Sequence, residues 1–254
     1  MTKKIKFGWR PDVPDPRDFS IKDLKMSVAK RLPESIDLRK FCSPVEDQGS
    51  IGSCTAQALA GNMELLYRKA NLKHIDISRL FVYYEERKAE GTINEDAGAM
   101  LRTGIRVLAK RGGAPEAVWP YKIRNWKKKP PRTAYSQAKK HQILKYARIR
   151  SLHQLKGCLA NGYPVVFGFV VFESCMSAQV AKTGIIPLQK SRDDSVLGGH
   201  AVMAVGYDNK RKAILIRNSW GTKWGIKGYG WLPYEYVEDR NLSDDFWTIK
   251  AQEM

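Results

Sequence analysis

Cysteine is scarce in this chain: Cys42, Cys54, Cys158 and Cys175 are the only four in 254 residues, and no two stand at CxxC spacing. That excludes a dense disulfide framework and offers no ligand spacing for a structural zinc. Reduced thiols in a cytosol-like compartment are the plain reading. Long apolar runs are also missing. Stretches such as VVFGFVVF at 165–172 fall far short of the roughly 20 residues that a bilayer-spanning helix needs, so no membrane insertion is expected. The start, MTKKIKFGWRPDVPDPRDFS, is basic but lacks the apolar core of a secretory signal. The expected location is cytoplasmic, with non-classical export as the alternative. No GxGxxG, P-loop or internal repeat occurs. Neither a metal nor an organic cofactor is expected.

Acidic residues vanish from one window. Between Ala117 and Phe172 there is no Asp or Glu, while Lys122, Arg124, Lys127, Lys128, Lys129 and further basic residues run on to Lys156, within a net charge of +18. One reading is a 122–156 surface for an anionic partner such as nucleic acid, with Trp126 and Tyr135 as stacking groups. The other is a solvated basic face. No nucleic-acid-binding motif accompanies the charge, which favours the second.

What is present is enough apolar sequence, 43%, to bury a core as one large domain or two lobes. Residues 1–31 are polar, with Pro11, Pro14 and Pro16 in RPDVPDPRD. They read as an extended arm. From Leu32 the pattern turns globular. CTAQALAGNMELLYRK at 54–69 has apolar residues at helical spacing, and Ser78–Lys88 and Gly98–Lys110 also read as helices, the latter stopping at Arg111-Gly112-Gly113. Residues 121–142 read as a basic loop and Leu152–Asn161 as a short helix. YARIR at 146–150, PVVFGFVV at 164–171, HAVMAVGY at 200–207 and AILIRNSW at 213–220 read as strands. Helices first and strands later argue for an α+β fold of two lobes.

Cys54 stands where glycine-containing DQGSIGS meets the first helix. A helix N-terminus favours a thiolate, and Gly52 and Gly49 let a backbone approach closely. Gln48 offers a side-chain N–H beside the Cys54 amide, the donor pair an oxyanion needs. Among four histidines, His200 alone follows two glycines and opens an apolar strand. Asn218 ends the next strand, and its side-chain oxygen suits an imidazole Nδ1–H without adding charge. On residue type and spacing alone, a cysteine nucleophile and a buried, inert cysteine remain equally open.

LPESIDLRKFCSPVEDQGSIGSC at 32–54, GGHAVMAVGY at 198–207 and NSWGTKWGIKGYGWL at 218–232 resemble the papain-like cysteine peptidases. GIRVLAKRGGAPEAVWPY at 104–121 is similar to the family's helix and following loop. His200 and Asn218 follow Cys54 by 146 and 164 residues, close to the interval of that family. The resemblance runs from Leu32 to the C-terminus. It implies a two-lobed fold, with a helical left lobe near 42–122 and an antiparallel, β-barrel-like right lobe near 123–240, and an active site in the cleft between them. It implies Cys54 as nucleophile, His200 as acid and base, Asn218 as its orienter, Trp220 as cover for the Asn–His bond, and Gln48 in the oxyanion hole. Gly52, Gly98, Ala99 and Gly199 join Trp220 as the expected substrate contacts. The implied substrate is a protein or peptide, cut by a monomeric endopeptidase, with an exopeptidase or transpeptidase as the alternatives.

The sequence departs from the family in three places. Ile51 stands where a cysteine is usual, so that disulfide cannot form. Thr55 follows the nucleophile in place of an aromatic residue. Only 31 residues precede Leu32, where relatives carry a long inhibitory segment. The arm is expected to block the cleft, or else to be a disordered tail or a strap packed on the right lobe.

Overall fold

The computed structural model of the chain describes residues 5–72, 74–189 and 193–251. Helix α1 (Cys54–Lys69) is buried almost all round from Cys54 to Tyr67. Helices α2 (Arg79–Ala89) and α3 (Leu101–Lys110) pack on one side of it and the sheet on the other. Ser78 caps α2, its side chain accepting from the Phe81 N–H at 3.2 Å. Helix α3 starts at Leu101, later than the sequence suggests, because the preceding residues are used as extended backbone. Shorter helices follow: α4 (Arg132–Ala138), α5 (Leu152–Ala160), α6 (Ala178–Thr183) and α7 (Tyr234–Glu238). No described helix is long and apolar enough to cross a membrane.

The strands are β1 (Ser35–Asp37), β2 (Ile143–Arg148), β3 (Val165–Phe172), β4 (Val196–Asp208), β5 (Ala213–Arg217), β6 (Tyr229–Pro233) and β7 (Ser243–Ala251). They form one antiparallel seven-stranded sheet in the order β2-β7-β3-β4-β5-β6, with β1 on β4. The expected helical and antiparallel β parts are both present, and the sheet, with β2 and β6 at its ends, does not close into a true barrel. β4 is buried from His200 to Tyr207, which is why it reads as an unbroken apolar run. Its register sets His200 opposite Phe169 and Gly199 opposite Val170.

Two further expectations change. The basic loop contains α4, whose Ala134 and Ala138 pack against Phe81. Trp126 lies under the Arg87 guanidinium at 4.7 Å, and Tyr135 donates to Glu85 at 2.7 Å. The two rings singled out for stacking are thus engaged within the protein. The arm, for its part, is built into the body: Trp9, Asp12, Ile21 and Leu24 are buried.

Candidate active site

The loop before α1 brings the first group of residues together. Cys54 is the first residue of the helix, so its N–H has no intrahelical acceptor. Gln48 is buried and held at three points. Its N–H donates to the Ser219 carbonyl at 2.9 Å, its Oε1 accepts from Ser219 Oγ at 2.7 Å, and its Nε2 donates to the Ile51 carbonyl at 3.0 Å. Gly52 donates to Asp96 Oδ1 at 3.0 Å. Cys42, Cys54, Cys158 and Cys175 are all free and buried, and Ile51 is buried where a disulfide cysteine is usual.

The second group comes from β4 and the turn after β5. His200 Nε2 donates to Asn218 Oδ1 at 2.8 Å. The sequence reading assigned that bond to Nδ1; the strand geometry presents the other nitrogen. His200 Nδ1 is buried with no hydrogen-bond partner among the described residues, so the lone pair sits on the nitrogen free to take a proton. Asn218 Oδ1 also accepts from the Ser219 N–H at 2.8 Å. Trp220 lies over the imidazole with ring centroids 4.7 Å apart, and Phe169 and Phe7 approach it edge-on at 5.8 and 6.3 Å. Trp224 meets Trp220 edge-on and is a packing residue.

The arm runs between these groups as extended chain. Gln48 Nε2 donates to the Lys6 carbonyl at 2.9 Å. The Gly8 backbone lies near enough to Cys54 to favour its thiolate. Gly8 lies so close to Gly52 that a Cβ on it would stand 1.9 Å from the Gly52 oxygen. Its carbonyl accepts from the Ala99 N–H at 2.8 Å, the Trp9 N–H donates to the Gly199 carbonyl at 2.9 Å, and the Arg10 N–H donates to the Ala99 carbonyl at 3.0 Å. Gly98 abuts the Gly8 carbonyl. Gly52, Gly98, Ala99, Gly199 and Trp220 therefore all meet the arm, Trp220 through the Phe7 ring at 6.4 Å. Further along, Asp12 and Asp18 bind Arg102 and Arg148.

Under this cover Cys54 and His200 are both held in their uncharged forms. Burial pushes the Cys54 thiol up to about 11; amides of Ala201, Gly8 and Thr55 pull the other way without overcoming it. Burial lowers His200 to about 4, against the Asn218 hydrogen bond. The thiolate-favouring pull of the helix N-terminus is thus outweighed by desolvation while the cleft is covered.

Thr55 is explained here. Its Oγ1 donates to Glu86 Oε2 at 2.9 Å, both fully buried. Burial raises the Glu86 carboxyl well above its ordinary value, against the pull of the Thr55 hydrogen bond. Sequence reading missed Glu86, Ser219 and Asp96, which takes the Gly52 amide and the Lys6 ammonium at 2.8 Å. Of these only Ser219 lies inside one of the motifs quoted above, NSWGTKWGIKGYGWL.

Residues 32–244 match the sequence profile of the papain family cysteine proteases. An uncharacterized peptidase C1-like protein of Acanthamoeba polyphaga mimivirus is 41% identical over 269 residues, covering 96% of this chain and 86% of its own. Mouse cathepsin K is 29% identical over 80% of this chain, which spans 60% of the cathepsin K chain. Among solved structures, xylellain, a cysteine protease from Xylella fastidiosa, superposes with a TM-score of 0.88 at 41% identity, covering 99% of this chain and 98% of that one. These matches give no support to the nucleic-acid reading. With a profile match over most of its length and a relative above 40% identity, this chain belongs to the papain family of cysteine proteases.

Proposed function

We propose that the chain is a cysteine endopeptidase whose cleft residues 5–31 hold closed. The observation that carries this is the arm itself. An extended segment enters beside Gln48 and Trp220, passes Cys54, and leaves past Ala99 toward Arg148. A cleft that takes chain on both sides of the nucleophile suits internal peptide bonds, whereas an exopeptidase needs one end closed.

In this reading His200 Nδ1 accepts the Cys54 proton as sulfur attacks the carbonyl. The oxyanion takes hydrogen bonds from Gln48 Nε2 and the Cys54 N–H, in the place the Lys6 carbonyl now holds. The imidazolium, steadied by Asn218 Oδ1, gives its proton to the leaving amine. Water then hydrolyses the thioester, His200 acting as base. Release of the arm rehydrates the pair and lowers the cost of the charges this sequence requires.

An internally quenched peptide blocked at both ends, analysed by mass spectrometry, tests the reading. Internal cleavage that disappears in Cys54→Ala is expected. Cleavage confined to free termini, or undiminished in Cys54→Ala, overturns it.

A further inference from the structure

Helix α1 begins without the usual side-chain cap. Its N-cap residue, Ser53, makes no side-chain bond to the helix; its hydroxyl lies 2.6 Å from that of Tyr121 instead. A cap would take the N–H of Thr55 or Ala56, and the Thr55 amide is one of those that favour the Cys54 thiolate. Leaving the cap out keeps that donor for the sulfur. An uncapped helix end frays unless something else holds it, and Cys54 is the first residue of this one.

What holds the first turn reaches in from the side. Thr55 Oγ1 donates across to Glu86 Oε2 on α2 at 2.9 Å, and both side chains are fully buried. The third helix makes room for the carboxyl. Gly104 lies inside α3, where a glycine weakens the helix, and a Cβ on it would stand 2.3 Å from Glu86 Oε1. Oε1 itself has no hydrogen-bond partner among the described residues. A buried carboxyl with a single bond is a poor way to stabilise a core, since an apolar pair of the same shape does as well or better. Residues that break a local rule in this way gather at functional sites.

We propose that Glu86 is a positioning residue for the nucleophile. Through Thr55 it fixes the uncapped first turn of α1, and with it the direction in which the Cys54 sulfur and N–H face His200 and the oxyanion. The bond needs only an acceptor at Oε2, so it is the geometry of the carboxyl that serves, with Gly104 as the space that admits it. The kinetic part of this proposal rests on the endopeptidase reading.

The test replaces the pair while keeping its shape. In the full chain, Thr55→Val combined with Glu86→Met removes both polar partners. Thr55→Val alone and Glu86→Gln are made in parallel. Melting temperature is measured for each, and kcat and KM are expressed per Cys54 titrated by iodoacetamide, so that unfolded molecules do not count. The double variant is expected to melt no lower than the wild type, while kcat falls about fivefold, the worth of one neutral hydrogen bond, with KM unchanged. Thr55→Val alone should lose the same factor in kcat and also melt lower, because it leaves the carboxyl buried without any bond; it carries the test if the double variant does not fold. Glu86→Gln keeps an acceptor for Thr55 and should recover most of the rate. An unchanged kcat with a lowered melting temperature makes the pair merely structural and overturns the proposal, as does a Glu86→Gln chain as slow as the double variant. If no chain cuts peptides, wild type included, the endopeptidase reading falls and the proposal is read from Cys54 alkylation at neutral pH. Wild type and Glu86→Gln should then react faster than the other two, and equal rates overturn it.

Discussion

The two halves of the arm are held in different ways. From Lys6 to Arg10 the main chain is bonded throughout, at the Lys6 and Gly8 carbonyls and the Trp9 and Arg10 amides, beside the side-chain contacts of Lys6 with Asp96, Trp9 with Asp245 and Arg10 with Glu90. From Asp12 to Leu24 side chains carry most of the contacts, with main-chain bonds at the Asp12 amide and the Val13 and Phe19 carbonyls. Asp12 meets the Arg102 N–H, Arg148 and Trp247; Asp18 meets Arg102 at 2.5 Å and Arg148 at 3.1 Å; Ile21 and Leu24 are buried. Main-chain contacts are open to any extended peptide, so a substrate can take over the front half. The rear contacts suit this arm alone. Retention and competition are thereby assigned to separate stretches of one segment.

The largest effect is expected from breaking the rear half. Asp18→Ala removes the arm's carboxylate from two little-exposed arginines. Breaking such a pair costs about 3 kcal/mol, or about a hundredfold in the open population. Alkylation of Cys54 by iodoacetamide at neutral pH, followed by peptide mapping, should accelerate by about that factor. An unchanged rate would show that the front half closes the cleft unaided.

A smaller effect comes from acid at the junction of the halves. Burial, and then Asp12 alongside, push the Asp245 carboxyl up to about 7. Arg148 and Asp244 also face it. Departure of the arm removes Asp12 and admits water, so the carboxyl returns toward its ordinary range near 4. Between about pH 4 and 7 the closed state therefore holds a proton that the open state has lost, and closure weakens as pH rises. Opening should increase by up to about tenfold from pH 5 to 6 in the wild type. Asp245→Asn should lack that component, so the difference in slope of Cys54 alkylation between the two chains measures it. Identical slopes would remove Asp245 from the closure.

Much of this was legible in the sequence. The helices α1, α2, α3 and α5 and the strands β2 to β5 follow from periodicity, and the order Gln48, Cys54, His200, Asn218 from motif spacing. The strands β6 and β7 were not. SDDFWTIKA carries two adjacent carboxylates near its start, which read against a strand, and Arg148 on β2 meets them both. Thr55 looked anomalous because its partner, Glu86, lies on another helix. The path of the arm left no local trace, since main-chain hydrogen bonds carry no sequence signature.

The smallest effect sharpens the front half. Ser219 Oγ is bonded to Gln48 Oε1, and with that oxygen fixed the amide presents Nε2 toward the arm carbonyl. Ser219→Ala leaves the amide held by the Ile51 carbonyl at its nitrogen alone, and the proposed oxyanion donor is then correctly placed for only part of the time. One neutral hydrogen bond is worth about 1 kcal/mol, so kcat should fall about fivefold, with KM little changed. In the Asp18→Ala background, where the arm no longer limits access, this fall is read directly. Ser219→Thr keeps the hydroxyl and should restore kcat, which a merely structural packing role would not require. If Thr and Ala variants lose activity alike, or KM rises instead, Ser219 does not position Gln48. The front half would then rely on the Cys54 and Gln48 backbones to hold its donors in place.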